Sequence, residues 1–166
     1  HSVSVRQRHS FVELPDGGYK KRKFDPRSGY FYIQYDDYAV HLEERMRKQF
    51  IVRHRLNKKN PDNAVSDPVE TIVYYVDQGT PEPVLSALME GASWWNEAFE
   101  LAGYKNAFQV NVMPEVEDPM EHRNNVNQTV HRSTRGWSYG ASDIVQRTGE
   151  IINGHVSIRS LRVRQE

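Results

Sequence analysis

The sequence predicts an α/β (α+β) fold in which a mixed, twisted sheet carries one long packed helix. Val outnumbers Leu by 18 to 7 and nine Tyr are present, a composition that favours strands over a helical bundle. One segment with helical periodicity, residues 81–102, stands between two apolar segments of strand length. A chain of 166 residues buries about 70% of its unfolded surface, so it forms a modest core.

Charge and composition exclude several classes of protein. The 22 Lys and Arg balance 22 Asp and Glu, whereas a non-specific nucleic-acid binder needs an excess of positive charge. The longest strongly apolar run is only five residues, Ile72–Val76, and crossing a bilayer takes about 20. The chain has no Cys, so it has no disulfide, no thiolate nucleophile and no Cys-ligated zinc.

The first part of the chain, residues 1–68, is predicted to be a β-rich extension that ends in a linker. Residues 30–38 alternate and contain many aromatic side chains, which predicts a strand. Residues 57–68 contain two prolines and almost no apolar residue, so the domain boundary is placed there. Residues 69–166 then form the second unit.

The helix over residues 81–102 has predicted signals at both ends. Thr80 is the expected N-cap and Pro81 the first helical residue. Gly103 stands where a left-handed C-terminal residue belongs. The helix therefore ends at Ala102.

Strands are predicted on both sides of this helix and throughout the rest of the chain. Residues 71–76 and 108–112 flank the helix, and such a crossover makes the two strands parallel. Residues 125–130 alternate as a further strand. Two extended stretches joined by a turn at residues 146–149 complete the sheet.

Few residues predict chemistry directly. His131 and His155 lie in predicted strands, but two imidazoles without a carboxylate make an incomplete zinc site, and local hydrogen bonding is the favoured interpretation. Trp94 and Trp95 could form a platform for stacking a ligand, but packing of Trp95 against the sheet is favoured. Glycines in the segment RGWSYGASDI, at positions 136 and 140, indicate either a bulge or the close approach of another backbone.

Several linked stretches of the chain are similar to one known family. They are RHSFVELPDGGY, FDPRSGYF, RHRL, PVETIVYYVD, EGASWWNEAFELAGYKNAF, VHRSTRGWSYGAS and RTGEI. These stretches cover most of the chain and resemble the large bacterial zinc-dependent metallopeptidases with a metzincin-like catalytic domain, similar to matrix metalloproteinases. The resemblance implies that residues 69–166 are the first part of such a domain, its upper subdomain. It also implies that the protein is extracytoplasmic, which means periplasmic, attached to the outer membrane or secreted.

The resemblance also implies a zinc cofactor and a general base on a helix with the motif H-E-x-x-H-x-x-G-x-x-H. In the family this helix follows the strands, and the sequence here stops at Glu166 without the motif. The chain is therefore expected to be a fragment that binds no catalytic zinc and is inactive alone. The missing helix is expected to leave apolar residues of the sheet uncovered, namely Val73, Tyr75, Val110, Val112 and Val156.

The part of the site that the resemblance does carry over is the outermost strand, which in this family pairs antiparallel with an extended peptide or protein substrate. The matching substrate-binding residues are Trp137, Ser138, Tyr139, Gly140, Ala141 and Ser142. The alternative for this segment is an ordinary hairpin with a bulge at Gly140. A carboxylate from the extension, Asp16 or Asp25, is the candidate for blocking the zinc, because no thiolate is present.

A second function is also compatible with the sequence. Aromatic residues in the predicted strand over residues 30–38 would let the chain act as a non-catalytic module that binds a glycan or a peptide. Neither interpretation involves nucleic acid or a membrane span. The sequence determines neither the substrate nor the oligomeric state.

Overall fold

The computed structural model describes residues 2–7, 9–117, 124–131 and 137–160. Gly136, one of the two glycines that bracket the predicted substrate strand, lies outside the described residues. The described elements, in chain order, are β1 (Tyr32–Asp36), β2 (Arg47–Ile51), β3 (Ile72–Val76), α1 (Val84–Ser93), α2 (Trp95–Leu101), β4 (Phe108–Val112), β5 (Asn125–Val130), β6 (Tyr139–Val145) and β7 (Glu150–Arg159).

Five strands form the main sheet in the order β4-β3-β5-β7-β6. The pairs β3–β4, β3–β5 and β5–β7 are parallel, whereas β6 runs antiparallel to β7. The predicted mixed sheet and the predicted parallel pair on either side of the helix are therefore confirmed. The antiparallel strand β6 stands at one end of the sheet and β4 at the other.

The predicted helix is present, but it begins three residues later than expected and contains a break. The residue before a proline is disfavoured in the helical conformation, so Glu82, which precedes Pro83, cannot continue a helix from Pro81. The helix begins at Val84 instead. Trp94 separates α1 from α2, yet its backbone angles are helical, with φ −61° and ψ −21°, so the two segments follow one another as one interrupted helix.

Thr80, the expected N-cap, bonds to a strand of the sheet and not to the first turn of the helix. The hydroxyl of Thr80 is buried and lies 2.6 Å from the hydroxyl of Thr129 in β5. The carboxylate of Glu82 instead accepts hydrogen bonds from the hydroxyl and the N–H of Ser86, at 2.7 and 3.3 Å. Thr80 therefore fastens the start of the helix to the sheet rather than capping the helix.

The C-terminal end of the helix is the one that the sequence predicts. Gly103 has φ +83°, and its N–H donates to the carbonyl of Glu100 at 2.9 Å. The backbone N–H of Ser66 donates to the Gly103 carbonyl, so the segment before Ser66 lies close to Gly103. A Cβ at position 103 would therefore lie only 2.5 Å from the carbonyl oxygen of Ala64. The segment predicted as a linker thus packs against the end of the helix.

Strands β1 and β2 form a separate antiparallel ribbon with one buried Ile on each face, Ile33 on one face and Ile51 on the other. The chain leaving β2 then reaches the main sheet. The N–H of Arg53 donates to the carbonyl of Gly149, and the N–H of Ile151 donates to the carbonyl of Arg53, both at 3.0 Å. The first third of the chain is therefore joined by hydrogen bonds to the start of β7.

The register of the sheet corrects the set of residues predicted to be uncovered. Tyr74 pairs with Val110, and residues that pair across strands share a face. Val73 and Tyr75 alternate with Tyr74 and so point to the opposite face from Val110. Val112 follows Val110 by two residues and so shares its face. Val112 pairs with Val76, Val76 with Asn127, and Asn127 with Val156, so Val156 lies on this face too.

These five residues therefore divide between the two faces of the sheet. Only Val112 is exposed, and the other four are half-buried.

Within the described ranges, every helix is too short or too polar to cross a membrane.

Candidate functional site

The six residues predicted to bind a substrate lie at the exposed end of the sheet. Trp137 and Ser138 precede β6, and Tyr139, Gly140, Ala141 and Ser142 are its first four residues. In the part of the chain that the structure describes, β6 pairs with β7 on one side and with nothing on the other. A free strand edge presents unpaired N–H and carbonyl groups, which is the geometry required for adding a further strand.

The alternative prediction for this segment, a hairpin with a bulge at Gly140, is correct about the hairpin and wrong about the bulge. Gly140 pairs in register with Val156, and the register shifts between Asp143 and Ile144. Apart from its chain neighbours, no described residue has an atom within 4 Å of the position that a Cβ on Gly140 would occupy. The hairpin is therefore open around Gly140, and its extra residue is Ile152 of β7, opposite the step from Asp143 to Ile144.

Strand β7 holds the side chains at the start of β6. The hydroxyl of Ser138 accepts a hydrogen bond from the N–H of Arg159 at 3.3 Å, and the Arg159 guanidinium lies 5.7 Å from the centre of the Trp137 ring. The rings of Tyr139 and His155 lie 6.5 Å apart. The first part of β6 is thus anchored along its inner side while its outer side faces solvent.

An apolar cavity of about 440 Å³ lies beside the helix, on the face that carries Tyr74 and Val156. Trp95 and Phe99 of α2 line one wall, and Phe108 lines the other. The main contacts of α1 and α2 are with β3 and β4, so the helix leaves the β5 and β7 side of this face uncovered.

Because the helix covers only part of the sheet, the predicted burial of Trp95 is wrong. The Trp95 side chain is 62% exposed at the mouth of the cavity, close to the 68% of Trp94. Helical periodicity places a side chain on a face of a helix, but it does not determine how far the facing sheet extends.

His54 lies between this apolar cavity and a second, polar one of about 280 Å³. Burial lowers the pKa of His54, and burial raises the pKa of Tyr74, whose ring lies 6.5 Å from the imidazole. Glu13, Glu70 and Glu150 line the polar cavity. Sequence reasoning missed His54, because a single His between two Arg gives no sign of the residues that surround it.

Arg55 connects three segments of the chain around the polar cavity. Its guanidinium contacts the carboxylate of Glu150 at 2.6 and 3.1 Å and the carboxylate of Asp16 at 2.5 Å. The hydrogen bond from Arg55 holds the pKa of Asp16 below its usual value. Asp25 is likewise paired with Arg27, at 2.6 Å, which lowers the pKa of Asp25. Both carboxylates considered for blocking a zinc ion therefore already have cationic partners.

The two strand histidines do not come together. His155 pairs with Val126, whereas His131 follows the last residue of β5, so the two lie five residues apart along the strands, roughly 17 Å. His131 Nε2 lies 3.5 Å from the Gly79 carbonyl, and His155 Nε2 lies 3.3 Å from the Ser157 hydroxyl. Among the described residues, no group of three or more His, Cys, Asp or Glu side chains is arranged to hold a metal ion.

The aromatic residues proposed for a binding module lie largely in solvent. Phe31 is 86% exposed and Tyr38 is 84% exposed, on either side of β1. Tyr32 packs against Phe24, with ring centres 4.1 Å apart. The ribbon therefore presents aromatic side chains that the fold itself does not need for its core.

Comparisons with known proteins add one similarity. The family model for a domain of unknown function (DUF5117) matches residues 1–59, which include the β1–β2 ribbon and Arg55. No curated protein and no solved structure matches the chain. The first third of the chain thus resembles a family without an assigned activity, and the match does not reach the five-stranded sheet.

Proposed function

We propose that this chain is part of a zinc-dependent metalloendopeptidase, an extracytoplasmic enzyme in which it supplies the strand that binds the peptide substrate. The observation that carries the proposal is the edge of β6 that has no strand partner among the described residues. Four of the six residues that the family resemblance assigns to substrate, residues 139–142, lie in this strand. Residues 139–143 are all exposed. An extended peptide that pairs with this edge gains main-chain hydrogen bonds, while its side chains alternate between the two faces.

Two further features support the proposal. The described order after the linker is strand β3, the helix, strand β4, strand β5 and the edge hairpin β6–β7, and the first three of these elements have the order that the resemblance implies for the upper part of the catalytic domain. The described residues also leave the apolar face beside α2 uncovered, with Trp95 at its margin and Val156 in its floor. A second helix of mostly apolar character would fill this space.

The zinc site of the proposed enzyme does not lie in the described residues, since none of their side-chain groupings fits a metal ion. The sequence contains no H-E-x-x-H motif, so its residues supply neither the zinc ligands nor the general base that the resemblance implies. The role of this chain in the proposal is to bind and align the substrate backbone.

Hydrogen exchange of the chain with and without an extended peptide tests strand addition at β6. Backbone N–H groups on alternate residues of β6 point away from β7, and pairing with a peptide slows their exchange. Protection confined to residues 139–143 is the expected result. Protection elsewhere, with β6 unchanged, would contradict the proposal.

Two proline variants sharpen this test. Ala141 and Ser142 are neighbours, so the N–H of one points to β7 and the N–H of the other points outward. Proline is tolerated on an edge strand where the N–H is not used in the sheet. One of the two variants, Ala141→Pro or Ser142→Pro, removes the outward N–H and should keep the wild-type unfolding temperature. That variant is expected to lose peptide binding. Retained binding in it would exclude β6 as the site.

Catalysis is tested on the reading frame that encodes this chain. The reading frame that encodes this chain is expected to contain H-E-x-x-H shortly after the codon of Glu166, and Glu→Gln in that motif is expected to abolish peptide hydrolysis. A reading frame without the motif would remove the peptidase from consideration while leaving peptide binding by β6 open to measurement.

The exposed aromatic side chains next to β1 favour one alternative function. Phe31 and Tyr38 are the most exposed of them and belong to the segment proposed as a glycan- or peptide-binding module. A non-catalytic module would bind a neutral oligosaccharide, and Phe31→Ala with Tyr38→Ala would abolish that binding. Protection of β6 by a peptide distinguishes the peptidase proposal from this one.

A further inference from the structure

A positively charged groove runs between the basic segment before β1 and the segment that follows β2. Its volume is about 530 Å³. Its cationic lining consists of Lys20, Lys21, Arg22, Arg53 and Lys58. None of the described residues that line it is acidic. The chain has a net charge of zero, so this surface concentrates positive charge that is balanced elsewhere.

The fold holds three of these cations with carbonyl groups and aromatic rings. Arg53 donates to the carbonyl of Lys20 at 2.7 Å, and its guanidinium lies 4.6 Å from the centre of the Tyr19 ring. Lys58 donates to the carbonyls of Asn63 and Ala64, at 3.0 and 2.6 Å. Both contacts stabilise a cation without cancelling its charge.

Lys21 is held in a similar way, with its ammonium group 4.9 Å from the centre of the Phe50 ring. In the described part of the chain, none of the five cations forms a salt bridge with a carboxylate. Asp16, two residues before Gly18 in the groove wall, is bonded to Arg55. The groove therefore keeps a net positive charge.

We propose that this groove binds acidic segments of polypeptide chains. Arg and Lys recognise carboxylates through charge-assisted hydrogen bonds, and Lys20 and Arg22 are exposed, with their side chains available for such bonds. Leu56 and Pro61 add apolar contact area to the lining. This inference goes beyond the proposed function, since binding requires neither zinc nor hydrolysis.

The aromatic residues of the groove favour a polypeptide over a nucleic acid. Single-stranded nucleic acids bind to free aromatic faces on which their bases stack. Lys58 lies over the ring of Tyr104, whose hydroxyl donates to the carbonyl of Leu56, and Arg53 lies over the buried ring of Tyr19. These rings are occupied by the cations of the groove itself.

Fluorescence anisotropy with a labelled peptide of alternating Glu and Gly tests the proposal. The peptide has about eight residues and is roughly 27 Å long when extended. We expect saturable binding that weakens as salt is raised, and no binding of the same peptide with Gln in place of Glu. The variant K20Q/R22Q removes two exposed charges and is expected to weaken binding by about tenfold.

A matched control removes two charges elsewhere. Arg6 and Arg45 are exposed and do not line the groove, so R6Q/R45Q is expected to bind the Glu peptide as the wild-type chain does. Unfolding temperatures of both variants show whether the fold is kept. If both variants weaken peptide binding equally, binding depends only on the net charge of the chain, and the proposed site in the groove is overturned.

Other polyanions complete the test. A sulfated oligosaccharide and a single-stranded oligonucleotide of equal charge are measured beside the peptide. Tighter binding of either one, lost in K20Q/R22Q, would assign the groove to that class and overturn the proposal. Absence of peptide binding would overturn it as well, while leaving the exchange measurement on β6 unaffected.

Discussion

Arg55 and Glu150, which are 95 residues apart in the chain, form a bidentate ion pair. The Nε–Oε1 distance is 2.6 Å and the Nη2–Oε2 distance is 3.1 Å. Glu150 is the first residue of β7, and its side chain is only 6% exposed, whereas that of Arg55 is 25% exposed. The pair therefore joins the segment after β2 to the main sheet through a carboxylate that is almost removed from water.

Arg55→Met is expected to lower the free energy of unfolding by about 2–4 kcal/mol, because it leaves the buried Glu150 carboxylate without its cation. Urea denaturation at neutral pH measures this change. Asp16→Asn is the control, since Asp16 is the exposed partner of the same guanidinium and contributes little. Equal losses in the two variants would mean that the buried pair is not the main contact.

The stability of the chain is expected to fall as the pH is lowered from about 7.5 to about 5, owing to His54. Burial lowers the folded-state pKa of His54 from its ordinary value of 6.5, so the unfolded chain binds the proton first in this range. Stability is therefore highest above 6.5 and is lost as the pH falls towards the lower folded-state pKa. His54→Gln is expected to make the thermal unfolding temperature nearly independent of pH over this range, and an unchanged pH dependence in this variant would contradict the prediction.

Gly149→Ala is expected to destabilise the chain by at least about 2 kcal/mol. Gly149 has φ +79°, and an added Cβ would lie 2.5 Å from the carbonyl oxygen of Ile51. Gly91→Ala is the matched control, because nothing lies within 4 Å of its Cβ position in α1, and it should stabilise the helix by about 0.5–1 kcal/mol. Chemical denaturation of both variants gives the comparison.

The apolar cavity beside α2 is expected to bind an anilinonaphthalene dye and to make the chain self-associate. Trp95→Ser should lower the dye fluorescence by about half or more, because Trp95 forms one wall of the cavity. Trp94→Ser serves as the control, since this neighbour is similarly exposed but does not line the cavity. A monomer at all concentrations in sedimentation, with no dye binding, would show that this face needs no cover.

The isolated chain is expected to retain less than about 0.1 zinc per molecule after dialysis and to leave protein substrates intact. The described residues offer no set of metal ligands, and the two strand histidines lie far apart. Elemental analysis and a protease assay measure both properties. One tightly held zinc per chain would overturn this prediction and would make His131 and His155 candidate ligands again.

Features that depend on neighbouring residues could be predicted from the sequence. The strand Ile72–Val76 follows from five consecutive apolar residues, and the end of the helix follows from Gly103, since glycine adopts a positive φ without strain. The hairpin of β6 and β7 follows from two extended stretches around a polar turn. Each of these signals lies within a few residues of the structure it describes.

Features that depend on distant residues could not be predicted. The pairing of Arg55 with Glu150 joins two segments whose order in space the sequence does not reveal. Alternation placed Val73 and Val110 correctly on faces of their own strands, but only the register between β3 and β4 shows that these faces are opposite. The exposure of Trp95 likewise depends on how much of the sheet the helix covers.

The register shift between β6 and β7 leaves its extra residue in β7. Asp143 pairs with Asn153 and Ile144 with Ile151, so Ile152 has no partner in β6. Strand β6 therefore has no inserted residue along its seven positions, roughly 24 Å at 3.4 Å per residue. A bulge increases the local twist of a strand pair, so the C-terminal end of this edge is rotated relative to its first residues. A twisted edge of this kind suits a short, flexible ligand strand better than the long, flat edge of a second sheet.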